Sequence, residues 1–169
     1  VEPDVMTSAK GMANGLPIGW TITTDEIARS FRHSTISTFG GNPVSATAAL
    51  AVIDVILEEG LAENAARVGG FLMDGLKALQ ERYPCMGDVR GMGLMIGVEF
   101  VHAAKRPAPD LLNRWLEATR KRGLLIGKGG LYGNVARIAP HLNVTRSDAE
   151  EMLRIMDAAM AEVQPYMEV

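Results

Sequence analysis

The chain has 169 residues, 47% of them hydrophobic, which allows a sizeable buried core in one large domain or two small ones. Its 17 Lys and Arg residues and 20 Asp and Glu residues give a net charge of -3 without a block of like charges, which argues against a nucleic-acid or membrane partner. Cys85 is the only cysteine, which excludes an intramolecular disulfide and a cysteine zinc cluster and suits a reducing compartment, so we expect the cytoplasm.

The amino-terminal residues show no targeting signal. No charged region precedes an apolar stretch there, and no apolar run in the chain reaches the ~20 residues that a membrane helix needs. Residues 1–5 also lack an initiator methionine or any other sign of a natural amino terminus. We therefore expect a fragment of a longer protein.

Short strands and a short helix are expected first in the chain. Apolar and β-compatible residues predict strands over 5–9 and 18–23. The capping-box spacing from Thr23 to Glu26 predicts a short helix that ends near Phe31, because a hydroxyl and a carboxylate at that spacing satisfy reciprocal backbone donors.

A long helix should follow. Asn42 is a good N-cap and Pro43 a good first helical residue, and the helix should stop at Gly60. The apolar residues that recur at helical spacing within it are Leu50, Ile53 and Leu57.

The remaining chain is expected to mix helices and strands. Helical periodicity predicts a helix over 61–83, which a loop over 87–93 and a strand over 94–101 should follow. After a Pro-rich connection over 106–109, we expect another helix over about 110–122. The apolar positions of the first of these helices are Ala65, Val68, Leu72, Leu76 and Leu79.

Near the carboxyl end, short strands over 124–126 and 135–139 should flank the glycine-rich stretch 127–133. The spacing from Ser147 to Glu150 again matches a capping box and predicts a last helix. The apolar stripe of that helix comprises Met152, Ile155, Met156, Ala159 and Val163.

These elements predict two domains. Residues 1–59 resemble in pattern the end of an α/β domain, and residues 60–169 a compact α+β domain.

Lys10 lies at the end of a predicted apolar strand, between Ala9 and Gly11. We expect its ammonium to be partly desolvated there, which favours the neutral amine that attacks an aldehyde. A surface lysine at a strand end is the common alternative, and the spacing alone does not decide between the two.

The sequence around Lys10 reads Pro3-Asp4-Val5-Met6-Thr7-Ser8-Ala9-Lys10-Gly11 and continues Asn14-Gly15-Leu16-Pro17-Ile18-Gly19. It resembles the cofactor-lysine signature of class III aminotransferases, which use pyridoxal 5′-phosphate. The resemblance implies the C-terminal portion of a fold-type-I aminotransferase: the end of the large cofactor domain and a small α+β domain. It also implies that Lys10 forms the Schiff base with the cofactor and moves the proton between the substrate Cα and the cofactor C4′.

A second segment, Ser37-Thr38-Phe39-Gly40-Gly41-Asn42-Pro43, places a hydroxyl beside two glycines just before a helix start. Such a segment suits a phosphate, although an ordinary capped loop has the same composition. It is similar to a Thr-Phe-Gly-Gly-Asn-Pro segment of the same family. The resemblance implies that Thr38 and Phe39 bind the cofactor, with Thr38 on the phosphate of the neighbouring subunit, and therefore a homodimer with shared active sites.

A third segment, Asn134-Val135-Ala136-Arg137-Ile138-Ala139-Pro140, holds one arginine in an otherwise apolar strand. A guanidinium can bind a carboxylate through two parallel hydrogen bonds, and a structural salt bridge is the alternative. The segment resembles the family's substrate-binding strand, which implies that Arg137 binds the carboxylate of the amino-acid or keto-acid substrate.

Other chemistries find less support. Gly91-x-Gly93 does not indicate a dinucleotide loop, because a strand rather than a helix is expected after it. The histidines His33, His102 and His141 have no metal-ligand spacing, so we expect no metal site, and no Ser-His-Asp or paired-carboxylate arrangement is indicated.

The resemblance runs along the whole chain, yet several cofactor contacts of the family precede the position of Val1. They are the aspartate on the pyridinium nitrogen, the aromatic residue stacked on the ring and a glycine-rich phosphate loop. We therefore expect this chain alone to be inactive and the intact protein to be an enzyme.

Residues 123–127 and 137–140 look most like the alanine-glyoxylate or ω-amino-acid:pyruvate branch of the family. This implies a small-molecule amino donor and a 2-oxo acid such as pyruvate or glyoxylate. Ornithine or 4-aminobutyrate transamination, aminomutases and racemases remain open. So does a different class of function, a non-catalytic interaction domain formed by the residues from about Leu61 onward.

Overall fold

The computed structural model describes residues 2–167, which divide into two compact units, one that ends at Gly60 and one that begins at Leu61. Each unit contains both helices and strands, so the chain has a mixed α/β fold, as predicted. The assignment of these units to a cofactor-binding domain and a small C-terminal domain stays a prediction.

The first unit is built on a two-stranded antiparallel sheet. Strand β1 (Val5–Ser8) pairs with β2 (Trp20–Thr23), and a 3-10 turn over Lys10–Ala13 follows β1. Two helices complete the unit, α1 (Asp25–Ser30) and α2 (Pro43–Glu58). Among the described residues of this unit, the buried ones are Ala13, Ser45 and Ala49.

The two helix starts of this unit differ in how well they match the sequence pattern. Asn42 caps α2 as predicted, since its Oδ1 accepts a hydrogen bond from the Ser45 N–H at 3.0 Å. The capping box predicted from Thr23 is wrong by one residue: Thr24 caps α1, and its Oγ1 accepts from the Ile27 N–H at 3.4 Å. Thr23 is still in β2, where its hydroxyl donates to the Asp4 carbonyl.

Helix α2 exposes the apolar stripe that the sequence predicts for it. Leu50 is 62% exposed, Ile53 41% and Leu57 73%. The helix forms where the sequence predicts it, but these apolar side chains are not part of a core in this structure.

The second unit packs three helices against a four-stranded antiparallel sheet with strand order β3-β4-β6-β5. Its elements, in chain order, are α3 (Leu61–Arg82), β3 (Met86–Met92), β4 (Met95–Phe100), α4 (Pro109–Lys121), β5 (Gly127–Gly129), β6 (Val135–Ile138) and α5 (Arg146–Met160).

The core of the second unit lies between one face of the sheet and the three helices. Phe100 and Trp115 are fully buried with ring centroids 5.3 Å apart, and the Trp115 indole N–H donates to the Met156 carbonyl at 3.1 Å. The predicted stripe of α3 faces this core with Val68, Leu72, Leu76 and Leu79. The opposite face of the sheet carries polar and glycine residues together with apolar side chains such as Met95 and Val135.

Three local predictions in this unit are wrong. Residues 87–93 form most of β3 rather than a loop, because a tight turn at Gly93 (φ 54°) brings them into register with β4. The short strand predicted over 124–126 lies instead at 127–129, where the backbone pairs with β6. Helix α5 is capped by Thr145 and Asp148, two residues before the predicted box.

None of the helices within residues 2–167 combines the length and the apolar character of a membrane-spanning segment.

Candidate functional site

Lys10 occupies an unusual backbone position directly after β1. Its φ of 57° lies in the left-handed region, which non-glycine residues rarely adopt, and the preceding Ala9 is extended. Lys10 is exposed, and its ammonium has no hydrogen-bond or ion-pair partner among residues 2–167. The expected partial desolvation is not seen, because few residues of the first unit are buried and none covers this position.

The loop before α2 folds back on itself. The Gly40 N–H donates to the Ser37 carbonyl at 3.2 Å, and the Asn42 N–H donates to the Phe39 carbonyl at 3.3 Å. Gly41 has a φ of 68°, which explains why a glycine stands there. The loop therefore leads directly into the amino terminus of a 16-residue helix.

Thr38 and Phe39 stand out from this loop. Thr38 is exposed, and its hydroxyl has no hydrogen-bond partner in the described part of the chain, while Phe39 is 81% exposed. Both side chains are available to a ligand or to another chain.

A cavity of about 310 Å³ joins the segment that follows Lys10 to the Thr38 loop. Lys10 and Thr38 do not line it themselves. Hydroxyl groups, an amide and glycine backbone at a helix start make it suited to an anionic group. Its lining residues are Pro17, Ile18, Gly19, Ser37, Phe39, Gly40, Gly41, Asn42 and Ser45.

Arg137 lies on the outer face of β6, opposite Gly97 on β4 and Gly127 on β5. It is exposed, and its guanidinium forms no ion pair or hydrogen bond with any residue between 2 and 167. Since β6 places its neighbours Ala136 and Ile138 in the core, the alternation of the strand directs Arg137 outward.

Arg90, on the same face of the sheet, shows the arrangement that Arg137 lacks. Its Nη1 lies 2.6 Å from Asp88 Oδ2 and 2.9 Å from Glu99 Oε2. The hydrogen bonds that Arg90 donates to these two carboxylates raise the pKa of Arg90. One arginine of this face is therefore neutralised within the protein, and the other is free to bind an external anion.

A second cavity, of about 440 Å³, opens beside Arg137. Asp148 is the carboxylate that lines it, and that carboxylate accepts hydrogen bonds from the Thr145 N–H and hydroxyl, which lower the pKa of Asp148. The other lining residues are Leu124, Leu125, Ile126, Gly127, Ile138, Ala139, Pro140, His141, Val144 and Met152. The cavity thus combines one unpaired cation with a mostly apolar wall.

The first unit holds Lys10, Thr38 and Phe39, and the second holds Arg137. Sequence reasoning missed the two glycines opposite Arg137 and the pairing of Arg90. The register of the strands is needed to see the glycines and the Arg90–Glu99 pair, whereas Asp88, two residues before Arg90, was a local signal for the other pair. Groups of three or more potential metal ligands are absent from residues 2–167.

The sequence profile of the family described as aminotransferase class-III matches residues 1–160. A similar curated protein, the mitochondrial alanine-glyoxylate aminotransferase 2 homolog 2 of Arabidopsis thaliana, is 48% identical over 166 residues. The match covers 96% of this chain and 35% of that protein, so the chain spans about a third of the length of this relative.

Solved structures agree with the sequence match. A phospholyase from Arthrobacter in complex with phosphoethanolamine superposes with a TM-score of 0.90 at 36% identity, covering 95% of this chain and 39% of that one. An amine transaminase from an uncultivated Pseudomonas species, in its PLP-bound form, superposes with a TM-score of 0.85 at 34% identity, covering 94% of this chain and 38% of that one.

Proposed function

Because the chain belongs to the class III aminotransferase family, we propose that it contributes to a pyridoxal-phosphate-dependent transaminase. The reaction moves an amino group from an amino acid or an ω-amino donor to a 2-oxo acid such as pyruvate or glyoxylate. The observation that carries the proposal is Lys10: an unpaired lysine held in a strained left-handed backbone at the end of β1.

The residues present fit the cofactor of this family. Lys10 supplies an amine without a competing carboxylate, and Thr38 supplies a free hydroxyl beside the start of α2. The exposed ring of Phe39 adds an apolar surface. Pyridoxal phosphate, when bound, supplies an aldehyde that reacts with amines and a ring that accepts electrons.

Lys10 is the proposed acid and base of the reaction. Its Nζ would take the proton from the substrate Cα and hold it for transfer to the cofactor C4′, which requires Lys10 to begin the step as the neutral amine. No carboxylate pairs with Lys10 among residues 2–167, so its Nζ is accessible to a ligand.

Arg137 is the proposed binding residue for the substrate carboxylate. The alternative of a structural salt bridge finds no support within the described residues, since the carboxylates on the same face of the sheet are engaged by Arg90. A free guanidinium beside an apolar cavity suits a small amino or keto acid.

The name of the Arabidopsis relative supports alanine as donor and glyoxylate as acceptor. Competing substrates are ornithine and 4-aminobutyrate. Competing reactions are those of aminomutases and racemases. The Arthrobacter structure adds phosphoethanolamine cleavage as an outcome to test. Release of phosphate from that compound without a keto acid would redirect the proposal to a lyase.

Assembly and location are part of the same proposal. Thr38 and Phe39 are exposed and accessible to another subunit, which supports a homodimer with shared sites. The cytoplasm is proposed as the compartment, in keeping with a single, buried cysteine, although the Arabidopsis relative is named as mitochondrial. We also propose that this chain by itself is inactive.

The decisive experiment is borohydride reduction of the holoenzyme followed by peptide mass spectrometry. We expect the pyridoxyl group on Lys10, and no label on any peptide of a Lys10→Ala variant. A folded protein that binds pyridoxal phosphate without labelling Lys10 would contradict the transaminase proposal. It would favour the alternative, an interaction domain without catalysis.

A further inference from the structure

Arg137 is flanked by glycine on both neighbouring strands. It faces Gly97 on β4 and Gly127 on β5, and residues directly opposite each other in antiparallel strands project to the same face. The surface on either side of Arg137 is therefore bare backbone.

The side chain of Arg137 lies over only one of these glycines. A Cβ added at Gly127 would stand 3.3 Å from Arg137 Nε and 3.4 Å from its Nη2. A Cβ added at Gly97 would meet Val135 Cγ1 at 3.4 Å and Arg90 Cγ at 4.0 Å instead. The guanidinium thus rests above the backbone of Gly127.

The φ angle of Gly127 does not explain the glycine at this position. The φ of Gly127 is outside the left-handed region, so alanine is compatible with the strand. The atoms that an added methyl would crowd are Nε and Nη2, besides the Arg137 carbonyl oxygen at 3.3 Å. Those two nitrogens form one of the two edges of the guanidinium that can donate two parallel hydrogen bonds to a carboxylate.

We infer that Gly127 is a positioning residue: the absence of a side chain there sets the orientation in which Arg137 binds the carboxylate of the substrate. The inference rests on the proposed function of Arg137. It predicts that a methyl at position 127 weakens binding of carboxylate-bearing donors specifically, and leaves the chemistry of the bound donor intact.

The test compares Gly127→Ala with Gly129→Ala in the holoenzyme. Gly129 is two residues farther along the same strand and on the same face, with an ordinary φ and open space around an added Cβ. The donor half-reaction, without a keto acid, gives the half-saturating donor concentration and the limiting rate. Alanine is compared with a primary amine of similar size that has no carboxylate.

For Gly127→Ala we expect the half-saturating alanine concentration to rise about three- to tenfold, the effect of weakening one charged hydrogen bond. The limiting rate with alanine should stay within about twofold of wild type, as should the half-saturating concentration and the limiting rate for the amine. Gly129→Ala should match wild type in all of these quantities. Equilibrium binding of propionate, measured by calorimetry, should weaken by the same factor in Gly127→Ala.

An Arg137→Gln variant separates the two proposals. If Arg137→Gln leaves alanine saturation unchanged, the carboxylate role of Arg137 is wrong. If Arg137→Gln weakens alanine binding but Gly127→Ala does not, only the positioning role is overturned. In the double variant, Gly127→Ala should add nothing to Arg137→Gln, and additive effects would show that Gly127 acts independently of Arg137.

Folding is checked by thermal unfolding. The melting temperature of Gly127→Ala should lie within about 3 °C of that of Gly129→Ala. A larger decrease in the melting temperature would show that Gly127 is needed for the stability of the sheet, and it would overturn the inference.

Discussion

Cys85 is buried between α3 and β3, and it is the single thiol of the chain. Burial raises the pKa of Cys85 from 9.0 to about 11, because the thiolate loses its hydration in the core. The thiol should therefore be inert at neutral pH in the folded protein. We expect a thiol reagent to label it at the rate of unfolding, and to label the denatured chain at once.

The same shift predicts a loss of stability in alkali. Because the folded pKa is raised, the contribution of the neutral thiol is complete below about pH 9 and is lost as the pH rises toward 11. Unfolding free energies of wild type and Cys85→Ala, measured by urea between pH 8 and 11, should converge as the pH rises. A difference in unfolding free energy that stays constant between pH 8 and 11 would contradict the raised pKa of Cys85.

The residue scale also shows where sequence reasoning stops. Lys10, Thr38 and Arg137 were identified from local motifs, and their roles stay predictions. Arg90 and Arg137 both lie in strands of the second unit, but Asp88 stands two residues before Arg90, whereas no acidic residue lies that close to Arg137 in the sequence. In the structure Asp88 lies beside Arg90 on the same strand, and the pairing of β3 with β4 adds Glu99, which local patterns do not encode.

At the scale of elements, α3 approaches the β3–β4 turn so closely that a glycine is needed. A Cβ added at Gly69 would lie 2.1 Å from the Gly93 carbonyl oxygen, a backbone atom that cannot move aside alone. Gly69→Ala should therefore destabilise the protein by about 2 kcal/mol or more, as overpacked cores do. Urea unfolding measures the loss.

Gly70 is the matched control for this prediction. It is the next residue of α3, it is exposed, and an added Cβ meets nothing within 4 Å. Gly70→Ala should stabilise the protein by about 0.5–1 kcal/mol, because alanine loses less backbone entropy than glycine in a helix. Equal effects of the two substitutions would show that α3 can shift away from the turn.

The start of α5 makes a further prediction. The Thr145 hydroxyl accepts from the Asp148 N–H at 3.1 Å, and the Asp148 carboxylate accepts from the Thr145 N–H at 3.0 Å. Thr145→Ala should cost about 1 kcal/mol at neutral pH, the usual effect of losing a cap.

The cost of Thr145→Ala should shrink in acid. Hydrogen bonds from Thr145 lower the pKa of Asp148, so their stabilisation is present above the ordinary aspartate pKa of 3.8 and is lost as the pH falls through the lowered value. Chemical unfolding at pH 7 and near pH 3 checks this, with Ser147→Ala as a control at an exposed neighbouring position.

Element types were predicted better than element limits. The helices α2, α3 and α5 follow from apolar periodicity, because each repeats one face over many residues, and α4 was expected after the Pro-rich connection. Strand β3 was missed because three of residues 87–93 are glycines, which indicate a loop in isolation. Pairing with β4 overrides that local preference.

At the scale of the whole molecule, burial is distributed unevenly between the two units. The hydrophobic core cluster draws all its residues from Val68 onward, while the described residues of the first unit bury only Ala13, Ser45 and Ala49. Since local stability follows buried apolar contacts, the second unit should be the stable part of the 169-residue chain. This agrees with the autonomous domain that the sequence suggested from Leu61 onward.

Hydrogen exchange on the 169-residue chain tests this uneven stability, with α2 and α3 as a matched pair of long helices. The amides of α3 should exchange only through global unfolding, because its stripe from Val68 to Leu79 is buried. The amides of α2 should exchange much faster, because Leu50 and Leu57 face solvent and a helix of 16 residues has little stability without packing. Equal protection of both helices would mean that self-association or another contact covers α2. Repeating the measurement at a tenfold lower protein concentration would distinguish these two causes, because dilution removes protection that comes from self-association and leaves protection that comes from a contact within the chain.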